Sequence, residues 1–319
     1  MAWFFVGLGL VTLLLAGDFL VRGAVNLALR LGISALLVSL TVVAFGTSAP
    51  ELLIVLSAMA DGASGLAMGN VIGSNTANIL LVLGLPALIA GLRTGDFFPR
   101  KSFLLMILAT VLFIGLAFLA PFTWWHGSIL LAVLLGILCD QGRSAQQDRQ
   151  AARTAALAAV DEDGLEGVDP TMPGWRIGLY LLFGLVGLPV GARVLVVNAE
   201  MIAKDYGVPE TAIGLTLIAV GTSLPELATT TIAAVRRQGD VALGNVIGSN
   251  MFNLLAIIGI AAFVAPIPVD AALLRFDLWI MLAASLLLIP FVFTKLNFNR
   301  IWGAGLTLLY MAYLFMVLL

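Results

Sequence analysis

The chain is built from apolar runs too long for anything but a membrane. They cover roughly 2–29, 33–60, 65–91, 101–120, 123–139, 175–203, 208–235, 241–266, 272–293 and 299–318. A spanning helix needs about 20 apolar residues, and each run approaches or exceeds that. Strands of a membrane barrel would alternate in polarity over about ten residues; these runs are apolar on every side and read as helices. Composition agrees: 61% of the 319 residues are hydrophobic and 11% charged, against roughly 45–50% and 25% in soluble domains. The expected fold class is an all-α polytopic membrane protein with ten transmembrane helices. The apolar start MAWFFVGLGLVTLLLAG lacks a basic flank and a small-residue cleavage site, so it reads as the first membrane helix and not as a signal peptide.

Basic residues set the orientation. The connections after spans 1, 3, 5, 7 and 9 collect thirteen of them: Arg22, Arg30, Arg93, Arg100, Lys101, Arg143, Arg149, Arg153, Arg176, Arg236, Arg237, Lys295 and Arg300. The other side carries Lys204 and Arg275. Both termini are therefore expected outside the cytoplasm. The one long connection, 141–174, with an acidic cluster at Asp161, Glu162, Asp163, Glu166 and Asp169, is expected to be a cytoplasmic linker between a first half, 1–140, and a second, 175–319.

The halves are related. Residues 41–85 align without a gap to 216–260, at an offset of 175, with 20 of 45 positions identical. Five spans per half is an odd number, so the second half enters from the opposite face and the repeats are expected to be inverted. Secondary transporters are commonly built this way, with the substrate site at the midplane between repeats.

The repeats also hold the polar groups that lipid disfavours. GTSAPE at 46–51 contains Thr47, Ser48, Pro50 and Glu51; GTSLPE at 221–226 contains Thr222, Ser223, Pro225 and Glu226. An ionisable residue inside a span marks function by default. On a continuous helix, Thr47 and Ser48 would share a face with Glu51. Each proline removes a donor and frees a carbonyl, that of Gly46 or Gly221. The motifs GNVIGSNTAN and GNVIGSNMFN add Ser74 and Asn78, and Ser249 and Asn253. Carboxylate, hydroxyl, amide and carbonyl oxygens form a hard donor set suited to Na⁺ or Ca²⁺. The glycines, and Asn70, Asn75, Asn245 and Asn250, read first as helix-packing devices.

Other classes find little support. Single residues, Cys139 and His126, leave no disulfide framework, thiolate cluster or histidine pair. There is no nucleophile–base pair for an enzyme, no cofactor motif and no basic nucleic-acid surface. His126, beside Trp124 and Trp125, reads as part of an interfacial belt. Asp18 and Arg193 also match at the 175-residue offset and could pair, snorkel or meet local partners. Oligomeric state is open, with a monomer sufficient.

The duplicated GTSxPE and GNVIGSNxxN motifs resemble the paired α-repeats of the cation/calcium exchanger superfamily, most closely its prokaryotic sodium/calcium exchangers. The resemblance covers nearly the whole chain outside the linker. It implies an antiporter of a bacterial or archaeal plasma membrane. Glu51 and Glu226 would be the central carboxylates shared by Ca²⁺ and Na⁺, and Thr47, Ser48, Thr222 and Ser223 would add oxygens. Ser74 and Ser249 would line flanking Na⁺ positions, and Asn78 and Asn253 would complete the middle. Some members carry aspartate at one of the last two positions; this chain has asparagine at both. The resemblance further implies that spans 2–29 and 175–203 slide past the core to switch access. Coupling to H⁺ or K⁺ is the alternative within this class, and a passive cation channel the alternative outside it.

Overall fold

The computed structural model describes residues 1–92, 99–147, 169, 171–207, 219–294 and 296–318. Every regular element among them is a helix: α1 (Ala2–Leu31), α2 (Ala35–Thr47), α3 (Ala49–Ala60), α4 (Ser64–Ala90), α5 (Arg100–Ala117), α6 (Trp124–Gln147), α7 (Gly174–Asp205), α8 (Ala219–Thr222), α9 (Leu224–Val235), α10 (Gly239–Val264), α11 (Leu273–Thr294) and α12 (Arg300–Leu318). Seven of these are long and apolar enough to cross a membrane, and eight such spans result if α2 and α3, bent by 41° at their junction, count as one. α12 is apolar but shorter, and α9 follows residues 208–218, which lie outside the described set. So does most of the expected linker, including Asp161, Glu162, Asp163, Glu166, Arg149 and Arg153, together with Arg93 and Lys295.

The helices sort into a core and a flank. α10 and α4 are the most enclosed; 89% of the apolar stretch of α10 is buried, against 22% in α7. Small residues let the core helices approach closely. A Cβ on Gly248 would lie 2.6 Å from the Leu40 carbonyl oxygen and 2.6 Å from Ala44 Cβ, so α10 and α2 touch backbone to backbone. α1 and α7 pack chiefly on each other. A Cβ on Gly191 would lie 2.9 Å from Leu13 N. Their outer faces, with Trp3, Phe4, Leu15, Leu182 and Phe183, are exposed and apolar, as a lipid-facing surface requires.

Two contacts recur across the halves. Leu92, after α4, bridges Phe298 before α12; Ile267, after α10, bridges Phe122 before α6. A Cβ on Gly84 of α4 would meet Thr307 of α12, and one on Gly259 of α10 would meet Leu131 of α6.

Several local expectations are revised. The expected span 33–60 is broken at Ser48 and carries a π-helical segment at Ser39–Val43. α6 continues to Gln147, beyond the expected end near 139. Lys101 at the start of α5 holds that extension through Asp140 (2.6 Å) and Ser144 (3.1 Å). His126 is buried, its ring stacked on Trp125 and its Nδ1 accepting from the Thr123 N–H (3.1 Å); only the two tryptophans are exposed. Asp18 does not pair with Arg193, which is exposed; it meets Arg22 and Arg236.

Candidate functional site: two broken helices and their carboxylates

The two GTSxPE motifs break their helices alike. Ser48 (φ −85°, ψ 2°) separates α2 from α3, and Ser223 (φ −87°, ψ 5°) separates α8 from α9. Proline follows in the first turn of the new helix, where its missing donor breaks no helical bond. Glu51 and Glu226 then fall in the first turns of α3 and α9, at the electropositive ends of the helix dipoles. Both side chains are fully buried, at 0% exposure.

The break redirects the hydroxyls. Thr47 and Ser48 do not share one helical face with Glu51. Ser48 Oγ donates to Glu226 Oε1 (3.2 Å), across the repeats. Thr47 Oγ1 donates to Asn245 Oδ1 (3.1 Å) and lies 3.4 Å from Ser249 Oγ. Asn245 Nδ2 in turn donates to the Glu226 carbonyl (3.4 Å) and to Thr230 Oγ1 (3.1 Å). Asn245 therefore braces the Glu226 turn against Thr47, a role its sequence position did not announce. Thr230 has a sequence signal: the run Thr229–Thr231 aligns with apolar Ile54, Val55 and Leu56.

A second cluster joins α4 to α10. Asn75 Nδ2 donates to the Asn250 carbonyl (3.3 Å), and Asn250 Nδ2 donates to the Asn75 carbonyl (3.4 Å). Asn78 Nδ2 donates to Asn250 Oδ1 (3.0 Å), which turns the Asn78 oxygen away from that bond. Both π-helical segments of these helices, Asn78–Val82 and Phe252–Ile257, start here; such bulges often mark functional sites. Ser74, Thr222 and Asn253 are buried as well.

Eight buried oxygens of these helices have no hydrogen-bond partner: Glu51 Oε1 and Oε2, Glu226 Oε2, Ser223 Oγ, Thr229 Oγ1, Asn75 Oδ1, Asn78 Oδ1 and Asn253 Oδ1. Buried polar atoms are normally paired, so eight from both repeats ask for a ligand of opposite character. All are hard oxygens. Among the described residues no three His, Cys, Asp or Glu side chains cluster; the charge at this place comes from two carboxylates, with neutral oxygens around them.

Asn250→Ala removes the acceptor that orients Asn78 and one bond of the asparagine clasp. The expected result is a loss of about 1–3 kcal/mol of stability. Thermal melting in detergent measures it.

Comparison with known proteins identifies the family. The model of the sodium/calcium exchanger protein family matches residues 1–140 and 177–319. The chain is 37% identical to CaxA of Alkalimonas amylolytica, provisionally named an antiporter, over 99% of this chain and 98% of that one. It is 32% identical to the sodium/calcium exchanger MaX1 of Methanosarcina acetivorans, over 96% and 95%. Among solved structures it is similar to the sodium-calcium exchanger NCX_Mj soaked with zero Na⁺ and Ca²⁺, with a TM-score of 0.82 and 29% identity over 99% of this chain and 98% of that one. Apolar helices, buried carboxylates and a family match over both halves lead to one assignment: this integral membrane protein belongs to the sodium/calcium exchanger family.

Proposed function

We propose that the protein exchanges Ca²⁺ for Na⁺ across the membrane by alternating access, with the ion site at the midplane between two inverted repeats. The carrying observation is the set of unpartnered buried oxygens around Glu51 and Glu226. The resident charge of two carboxylates in a low dielectric calls for about two positive charges. One Ca²⁺ or at least two Na⁺ meets that demand, and the two loads compete for the same oxygens. Competition makes an exchanger: each ion leaves when the other replaces it. An unloaded site would carry two uncompensated charges through the barrier, which suppresses movement without cargo and keeps the fluxes coupled. The metal ligands in this reading are Glu51, Glu226, Thr47, Ser48, Thr222, Ser223, Asn78, Asn253, Ser74 and Ser249.

The ten-span inverted layout draws support from reciprocal contacts. Asn75 and Asn250 are 175 residues apart and exchange equivalent hydrogen bonds. Equivalent residues that bind each other reciprocally lie on a two-fold axis. The Leu92–Phe298 and Ile267–Phe122 bridges obey the same exchange of halves within one residue. The peripheral pair α1 and α7 is the moving unit. It contacts the site through narrow seams: a Cβ on Gly46 would overlap Leu185, and one on Gly221 would overlap Val196, both on α7. The basic residues put both termini outside a prokaryotic plasma membrane and residues 141–174 in the cytoplasm.

The test is ⁴⁵Ca²⁺ flux in reconstituted vesicles under imposed Na⁺, K⁺ or H⁺ gradients. Ca²⁺ movement is expected to follow the Na⁺ gradient, reversing when that gradient reverses. Flux that ignores Na⁺ and tracks pH or K⁺ replaces the coupling ion. Steady current in a planar bilayer without a counter-ion replaces the carrier with a channel.

A further inference from the structure

The ion site does not use one charged cluster inside the fold. Asp18 lies on the apolar helix α1, one turn before Arg22, where a carboxylate withdrawn from water is costly unless paired. Its Oδ1 pairs with Arg236 through both Nε and Nη2. Its Oδ2 lies 2.9 Å from Arg22 Nε, one turn along the same helix. The Arg236 side chain is 12% exposed and that of Asp18 21%, so the pair is largely withdrawn from solvent.

The position of the pair gives it meaning. Arg236 caps the C-terminus of α9, the helix whose first turn holds Glu226. Next to Asp18, Gly17 backs onto the same helix: a Cβ there would lie 3.3 Å from the Ala228 carbonyl oxygen and 3.4 Å from Ile232 Cγ1. α1 therefore lies along α9 from near the carboxylate to the helix end, and the Asp18–Arg236 pair closes that end of the seam. Three charges from two helices form the cluster, with Arg22 and Asp18 on the flank and Arg236 on the core.

Resting on the alternating-access reading, we propose that Asp18 and Arg236 form a latch that closes the α1–α9 seam on the face of the membrane where α9 ends. Opening the site toward that face separates them. A shift of α1 by one helical residue, about 1.5 Å, is enough to break both contacts to Oδ1, since hydrogen bonds weaken steeply with distance and angle. Arg22 travels with Asp18 and stays paired when the latch opens, so the carboxylate is never left bare. Asp18 and Arg236 act as positioning residues: neither reaches the ions, and both set which face the ions can reach.

The experiment uses the full chain in vesicles with Cys139→Ala, which removes the exposed native thiol, and a reporter Ile232→Cys in the seam. A membrane-impermeant thiosulfonate is added from the face where α9 ends. Asp18→Asn and Arg236→Gln are each expected to speed labelling at least about fivefold, with no further gain in the double variant. Arg236→Lys, which keeps the charge, is expected to label near the parent rate. Unchanged labelling in both neutralised variants, with exchange intact, overturns the latch. Equal acceleration by Arg236→Lys and Arg236→Gln also overturns it, because packing and not charge would then hold the seam. Loss of Na⁺-driven Ca²⁺ flux in the parent is a different failure, that of the transport reading itself. Arg236→Gln decides the question if Asp18→Asn fails to insert.

Discussion

Replacing Glu51 or Glu226 by Gln is expected to lower Na⁺-driven Ca²⁺ flux at least about 100-fold while the protein still inserts and elutes as a single species. The reason is the charge balance at the site. Glutamine keeps the shape and one acceptor oxygen but removes one of the two negative charges that offset Ca²⁺. A hundredfold loss corresponds to about 2.7 kcal/mol, a modest demand for a charge acting across a few ångströms in a low dielectric. The two positions are not equivalent in local bonding. Glu226 Oε1 accepts from Ser48, whereas both oxygens of Glu51 are without a partner. Glu226→Gln therefore also disturbs the contact between the repeats, and Glu51→Gln is the cleaner probe of charge. Near-normal ⁴⁵Ca²⁺ flux by either variant removes that residue from the site.

Gly248→Ala is expected to damage the core strongly, although it adds a single methyl group. The new Cβ would lie 2.6 Å from the Leu40 carbonyl oxygen, 2.9 Å from Leu40 Cα and 2.6 Å from Ala44 Cβ. Two of those atoms are backbone and cannot rotate away, so α10 and α2 must separate. Overpacking of this kind costs about 1–3 kcal/mol and sometimes more. Ser249 is the next residue, so the same displacement pulls its hydroxyl from Thr47. Gly7→Ala is the control: a Cβ there meets nothing within 4 Å, and alanine has the higher helix propensity, so stability is expected to hold or rise. Melting in detergent separates the two. Equal midpoints for both variants contradict the close α2–α10 contact.

The fold was legible in outline because lipid imposes a simple rule: spanning segments satisfy their backbone internally and present apolar surfaces. Span positions followed from the apolar runs, and α1, α5 and α7 agree with them within two to three residues at most ends. Interruptions were less visible. The π-helical segments at Asn78–Val82 and Phe252–Ile257 carry no breaker residue; neighbouring helices impose them. Pro50 and Pro225 signalled a disturbance, and the structure resolves it as a helix restart.

The site was legible as a set of residues and not as a set of bonds. Repetition singled out Glu51, Glu226 and their Ser, Thr and Asn companions, because no packing requirement explains two glutamates at equivalent positions of a repeat. Helical spacing misassigned Ser48, which bonds to the glutamate of the other repeat. It ranked Asn75, Asn245 and Asn250 as packing, and they do join helices, through bonds whose partners the spacing could not name. The pairing of Asp18 with Arg236 was out of reach for the same reason.

Composition, apolar run length and the 175-residue repeat thus determined the membrane class, the helical content and the chemistry of the candidate site residues, since these depend on what each residue is. Which repeat each side chain serves was decided only in the tertiary structure. Hydrogen bonds between Ser48 and Glu226, Asn75 and Asn250, and Asp18 and Arg236 join residues about 170 to 220 positions apart. Bonds of that range depend on how helices cross, and a crossing is set by the packing of many small residues at once.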